Sequence, residues 1–195
     1  MLYTGKGDNG TTTIFRGDPP APDQSGGRAG QRISKSSNIA EALGSLDEIN
    51  SFLGLVKVRS AESKFSIGEK TFESIVHRLQ ENLFMVQAEV AGADKHIGAD
   101  KVKEVEDLIA LVEKELPPIK TFFISGGTEL GASFDFARTV ARRAERRVVA
   151  VSEERVVQVG AETLRFLNRL SSILYALARL SNHKSGIKES APSYN

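Results

Sequence analysis

Five arginines, Arg138, Arg142, Arg143, Arg146 and Arg147, fall within ten residues of the stretch SFDFARTVARRAERRVVAV, Ser133 to Val151, with no lysine among them. A guanidinium is planar, stays charged and can donate two parallel hydrogen bonds to phosphate. Several on one rigid helix therefore make a preformed grip for a polyanion. At helical period, Ala137, Val140, Ala141, Ala144, Val148 and Val151 form an apolar stripe. Arg138, Arg142, Glu145 and Arg146 form a second stripe beside it. The competing reading is a solvated basic face that pairs with carboxylates on a neighbouring helix.

A second candidate lies at the N-terminus, in LYTGKGDNGTTTIF, Leu2 to Phe15. Gly5, Gly7 and Gly10 permit sharp turns and close approach of backbone to a ligand. Successive N–H groups in such a loop can cradle an anion, with Lys6 and the hydroxyls of Thr4, Thr11, Thr12 and Thr13 beside them. The spacing fits neither GxxxxGK[ST] nor GxGxxG, and by itself a Gly/Thr-rich stretch is more often a plain turn. Residues 16–31 carry three of the six prolines and read as a mobile loop; Lys35 follows it.

These groups need a scaffold, and the periodicity predicts one built from helices. The first starts at Asn38, with Glu41 as a capping-box partner and Ile39, Leu43, Leu46, Ile49, Leu53 and Val56 inward. Asp47 sits off that stripe beside the small residues Gly44 and Ser51, where its ordinary fate is a surface carboxylate. Further helices are expected over 69–91, over 100–116 until Pro117-Pro118 stops the chain, over 133–151 and over 161–181. On the last, Asn168, Ser172 and Tyr175 form a polar line. Between the third and fourth, KTFFISGGTELG has no helical period and two aromatics, Phe122 and Phe123, that look exposed. No alternating strand pattern exceeds a few residues. The expectation is one all-α domain, 1–195, folded as a ferritin-like five-helix bundle, with 1–37 as an N-terminal loop region and 184–195 as a flexible tail.

Composition narrows the chemistry. The net charge of +1 provides no global field for nucleic acid or an anionic membrane, so any anion site is local. Cysteine is absent, which removes disulfides and thiolate nucleophiles. No apolar run approaches the ~20 residues of a membrane span, and the N-terminus carries no signal core, so a cytoplasmic protein is expected. The three histidines, His77, His96 and His183, form no Glu-x-x-His pair of the kind that builds a di-iron bundle, and no metal site is expected. Phosphate grips abound while a nucleophile and a general base are missing. Such a protein would position a nucleotide and stabilise a leaving polyphosphate, the nucleophile coming from the second substrate.

Four segments, in order along the chain, resemble the PduO-type ATP:cob(I)alamin adenosyltransferases, the family of the human methylmalonic aciduria type B enzyme. They are YTGKGDNGTT, EALGSLDEINSFLGL, FFISGGTELGASFDFARTVARRAERRVV and RFLNRLSSILYALAR. The resemblance implies a homotrimer of five-helix bundles with ATP and corrinoid bound between subunits. It implies Mg²⁺ with the ATP, cob(I)alamin as co-substrate, transfer of the 5′-deoxyadenosyl group to Co(I), release of triphosphate, and a possible cob(II)alamin reductase as partner. It places Thr4, Gly5, Lys6, Gly7, Thr12, Thr13 and Lys35 at ATP, together with Arg142, Arg143, Ala144, Glu145, Arg146 and Asn168. It pairs Asp47 with Arg138 across the subunit interface and sets Phe122 against the lower axial face of cobalt. The sequence departs from the family pattern at Gly5, where a lysine is usual, at Ser125 for a proline, and at Ser172 for an aspartate. A nucleic-acid-binding bundle and a corrinoid carrier without transferase activity are the rival readings. The +1 charge speaks against the first, and the presence of Arg142, Glu145 and Asn168 against the second.

Overall fold

Helix α1 (Asn38–Ser63) begins one residue later than its cap. Ser37, in extended conformation, accepts the Ala40 N–H on its side chain at 3.3 Å. The same device opens α2 (Phe72–Val90), where Thr71 accepts the Ser74 N–H, and α4 (Glu129–Glu153), where Thr128 accepts the Gly131 N–H at 2.9 Å. α3 (Ala99–Glu115) and α5 (Ala161–Lys184) start at Gly98 and Gly160, which have no capping side chain of their own. For α5 the cap comes from elsewhere. Glu89, near the end of α2 and only 1% exposed, accepts the Gly160 N–H at 2.6 Å and the Thr163 hydroxyl. His96 lies 3.4 Å from the same carboxylate, which raises its pKa above the usual histidine value.

This description covers residues 3–14, 31–155 and 157–194 of the chain, from a computed structural model. Of the expected mobile loop over 16–31, residues 16–30 lie outside them. α4 packs against both α1 and α5, α2 packs on α1, and α3 packs on α5. All six apolar residues of the α4 stripe are buried, facing Leu46, Ile49 and Leu53 of α1 and Leu167, Leu170 and Leu174 of α5 in one core.

Three expectations change. α1 runs past Arg59 to Ser63, and α4 begins four residues before Ser133 because Thr128 supplies a cap that apolar periodicity does not register. Short strands occur where loops are expected. β1 (Thr11–Ile14) pairs antiparallel with β2 (Gln31–Ser34), Thr12 opposite Ile33, and β3 (Ser66–Ile67) pairs with β4 (Lys70–Thr71). Segments this short carry too little alternation to be read. The tail is not free either: the Ile124 N–H donates to the Ser190 carbonyl at 2.9 Å and Arg179 pairs with Glu189 at 2.8 Å. Its partners lie more than 60 and about 10 positions away, so sequence proximity does not reveal them.

Candidate active site

The two stripes of α4 receive different neighbours. α1 runs antiparallel to it and ties it down in steps: Arg59 to Glu129 at 2.8 Å, Phe52 edge-on to Phe136 at 4.9 Å, Glu48 to Arg143, Glu41 to Arg147 at 3.5 Å, and Asn38 to Glu154. Arg143 and Arg147 therefore act as the solvated basic face that pairs with a neighbouring helix. Arg142 and Arg146, one residue earlier in each pair, meet no carboxylate within 4 Å among the described residues. Arg138 is held by Asp135 one turn before it, Nε to Oδ1 at 2.6 Å, and lies 5.9 Å from the Tyr175 ring centroid.

Arg138 and Arg142 face a cavity of about 620 Å³. Its other walls are the 119–126 segment, the polar line of α5 at Ser172 and Tyr175, and Arg179, Asn182 and Glu189 beyond it. Phe122 and Phe123 both line this space; Phe122 is 78% exposed, whereas Phe123 is half-buried with the Arg179 guanidinium over its ring. Burial raises the Tyr175 pKa above the ordinary tyrosine value, so its phenol stays neutral at physiological pH. The cavity thus combines apolar and cationic walls, suited to a large ligand with both hydrophobic and anionic parts.

The 122–127 turn is fastened from α5. Asn182 donates from Nδ2 to the Gly126 carbonyl at 2.9 Å and accepts the Thr128 N–H at 2.9 Å. Gly127 has φ +105, and a Cβ there would lie 2.6 Å from the Asn182 Oδ1, so only glycine fits beneath that side chain. Ser125, at the family's proline position, is exposed and makes none of these anchoring bonds.

The N-terminal loop is organised separately. Lys35 follows β2, its N–H donates to the Gly10 carbonyl at 2.9 Å, and its ammonium sits where a Cβ on Gly7 would come within 3.3 Å. Gly7 and Lys35 are therefore neighbours. Arg32 of β2 knits the loop, donating to the Lys6 carbonyl, the Thr11 hydroxyl and, at 3.4 Å, the Thr13 hydroxyl. Thr4 accepts the Lys6 N–H at 3.4 Å, and Gly5, Lys6, Thr12 and Thr13 lie along the loop with Thr12 half-buried.

Asn168 donates to Glu145 at 3.1 Å, joining α5 to α4 one turn beyond the cavity. Ala144 corrects the sequence reading: it has no exposed surface, so it belongs to the core and cannot touch a nucleotide. Asp47 is exposed on α1 and does not meet Arg138 within the chain. Lys35 lies near Asn38 and hence at the Glu154 end of α4, while Phe122 precedes the Glu129 end. The 25-residue helix, about 37 Å long, separates Lys35 from Phe122, whereas Arg146 and Arg142 lie only about 12 and 18 Å along it from Glu154.

Sequence reading passes over Asp135, Arg179, Asn182, Glu189 and Arg32. For Arg179 and Asn182 a signal exists, since they continue the polar line 168–172–175 by two further turns. Arg32 and Glu189 carry none, because each lies outside any helix.

With this geometry in hand, comparison with known proteins decides the family. A family model described as Cobalamin adenosyltransferase matches residues 2–181. The chain belongs to the cobalamin adenosyltransferase family. Among its curated relatives is the corrinoid adenosyltransferase of Bacillus subtilis, 34% identical over 95% of this chain and 89% of the relative. The human corrinoid adenosyltransferase MMAB is 30% identical over 96% of this chain and 71% of its own length. The chain spans about half the length of the PduO proteins of Citrobacter freundii and Salmonella typhimurium, at 33% and 34% identity. Among solved structures, a phenylalanine-to-histidine variant of the Lactobacillus reuteri PduO-type enzyme, complexed with cobalamin and ATP, superposes with a TM-score of 0.80. It is 27% identical and covers 100% of this chain and 97% of its own. An arginine-to-lysine variant of that enzyme, complexed with ATP, gives 0.79 at 26% identity, covering 98% of this chain and 100% of its own.

Proposed function

We propose that this protein is an ATP:corrinoid adenosyltransferase that moves the 5′-deoxyadenosyl group of ATP onto the Co(I) of a corrinoid. The observation that carries the reading is the α4–α5 cavity, lined by the exposed Phe122 and by Arg142, which meets no carboxylate among the described residues. The relatives and structural neighbours that cover nearly the whole chain support the same reaction. Co(I) is itself a strong nucleophile, so no protein base is needed. Its electron pair forms the Co–C5′ bond, the C5′–O bond breaks, and triphosphate leaves with that bond's electrons. Arg142 and Arg146 of one region and Lys6 and Lys35 of the other stabilise the charge that grows on the leaving group.

Phe122 serves the step before. An apolar ring against the lower face of cobalt excludes an axial ligand, and four-coordinate Co(II) accepts an electron more readily than five-coordinate. Mg²⁺ accompanies ATP in this reading. Among the described residues no three His, Asp or Glu side chains gather into a cation site, so the phosphates themselves would carry the ion, and it would neutralise their charge.

The separation of Lys35 from Phe122 by the length of α4 supports a site shared between subunits, and a homotrimer is the assembly proposed. The outer face of α1 and α4 suits it: Leu55, Val58 and Phe136 are 46%, 56% and 57% exposed beside Asp47. Asp47 of one copy would reach the Arg138 nitrogens that Asp135 leaves free. No helix among the described residues is long and apolar enough to cross a membrane, and a cytoplasmic location with a separate cob(II)alamin reductase as electron donor completes the proposal. An anaerobic assay with ATP and chemically reduced cobalamin tests it. Adenosylcobalamin and triphosphate should appear in equal amounts; ATP cleavage without a Co–C bond, or no turnover at all, refutes it.

A further inference from the structure

Arg179 is 5% exposed, which is unusual for an arginine and costly unless its charge is answered. Here it is answered twice. Its Cζ lies over the Phe123 ring, 4.9 Å from the centroid, and Nε donates to Glu189 at 2.8 Å. Glu189 is itself largely buried, and the next residue, Ser190, accepts the Ile124 N–H at 2.9 Å. One side chain of α5 thus grips the two residues that matter for the pitch of the 122–124 segment. It holds Phe123 directly, and it holds Ile124 through the chain end. Asn182, one turn on, fixes the far side of the turn at Gly126 and Thr128. Phe122, by contrast, has no polar anchor among the described residues and is 78% exposed; its direction is set by its neighbours.

We infer that Arg179 is a positioning residue for the transfer reaction: by stacking on Phe123 and pairing with Glu189, it clamps the segment that holds the Phe122 ring inside the cavity. This rests on the proposed role of Phe122 at cobalt. An apolar side chain could fill the same space under Phe123, but it could not also hold Glu189. The stack requires a flat cation and the pair requires a donor, and arginine supplies both.

The test uses the full chain with ATP and cob(II)alamin. Arg179→Lys keeps the charge and loses the plane; Glu189→Gln keeps the size and loses the pair. The protein contains no tryptophan, so Ile124→Trp adds a single fluorophore to the clamped segment at a position 61% exposed. In that background both variants should lower the tryptophan anisotropy. They should lower the four-coordinate Co(II) signal and cut turnover from Co(II) by about tenfold, the scale of a lost desolvated cation–π contact. KM for ATP should stay within about twofold, and turnover from pre-reduced Co(I) should fall much less. Should Arg179→Lys not fold, Glu189→Gln, whose side chain is less buried, decides alone. Anisotropy that drops while the four-coordinate signal persists overturns the inference, as does unchanged anisotropy. Phe122→Ala run alongside separates the two levels. If it leaves the four-coordinate signal intact, the reading of Phe122 falls and takes this inference with it. If it abolishes the signal while Arg179→Lys and Glu189→Gln do not, only Arg179 loses its role.

Discussion

Arg143 and Arg142 are adjacent in sequence, carry the same charge and are both exposed, yet the fold gives them opposite occupations. Arg143, with Arg147 one turn on, leans toward α1 and is matched by Glu48 and Glu41. Arg142, with Arg138 one turn back, leans toward α5, where the facing residues are Ser172 and Tyr175 and the carboxylates that line the cavity, Asp135 and Glu189, are taken by Arg138 and Arg179. An arginine is a fastening or a ligand grip according to what the next helix presents to it. The α1 side is acidic and closes the bundle; the α5 side is neutral and leaves charge to spare for an anion.

The comparison breaks most readily at the subunit contact. On the cavity side Arg138 has one internal partner and, in the proposed trimer, Asp47 of a second copy as another. Asp47→Ala should weaken association by roughly 2–5 kcal/mol, the range for truncating one member of a buried charged pair. Reversing both charges should restore part of it. Light scattering checks this, and a fully active monomer would remove the shared site altogether.

Next in size is the nucleotide. Arg142→Ala should lower kcat/KM for ATP by roughly 1.5–3 kcal/mol, or about one to two powers of ten, with the thermal transition unchanged. Arg142→Lys should recover little, because a point charge does not replace a planar fork. Unaltered ATP kinetics would mean that the unpaired face grips nothing.

Phe122→Ala sharpens the division of labour inside the cavity. From Co(II) and a weak reductant, turnover should fall on the order of tenfold, equivalent to about 1.4 kcal/mol, with ATP affinity nearly constant. From pre-reduced Co(I) the loss should be much smaller. Equal losses in the two assays, with four-coordinate Co(II) still visible in the absorption spectrum, would assign Phe122 to the fold.

The smallest effect belongs to the α1 side. Arg147 and Glu41 are about half exposed and 3.5 Å apart, so Arg147→Ala should cost about 0–1 kcal/mol in denaturant unfolding and leave ATP kinetics unchanged. A loss comparable to that of Arg142→Ala would erase the distinction between the two faces.

Much of this was readable from the chain. The helices of 17 to 26 residues repeat their apolar positions often enough to declare period and facing, which is why the α4 stripe of Ala137, Val140, Ala141, Ala144, Val148 and Val151 is buried to the last residue. The same periodicity put Arg138 and Arg142 on one line and Ser172 and Tyr175 on another, composition excluded thiol chemistry, and the lack of a Glu-x-x-His pair argued against di-iron ligation. Periodicity speaks only about one helix and its own core, however. Tertiary structure alone decided which arginines find carboxylates, because Glu41 and Glu48 lie about a hundred positions away. It alone placed the two lines across one cavity, moved Ala144 from the candidate site to the core, and joined the chain end to Ile124 through Arg179 and Glu189. Those are single contacts between distant, irregular segments. A repeating pattern is averaged over many residues and survives in the sequence, whereas one hydrogen bond between two loops leaves no pattern to read.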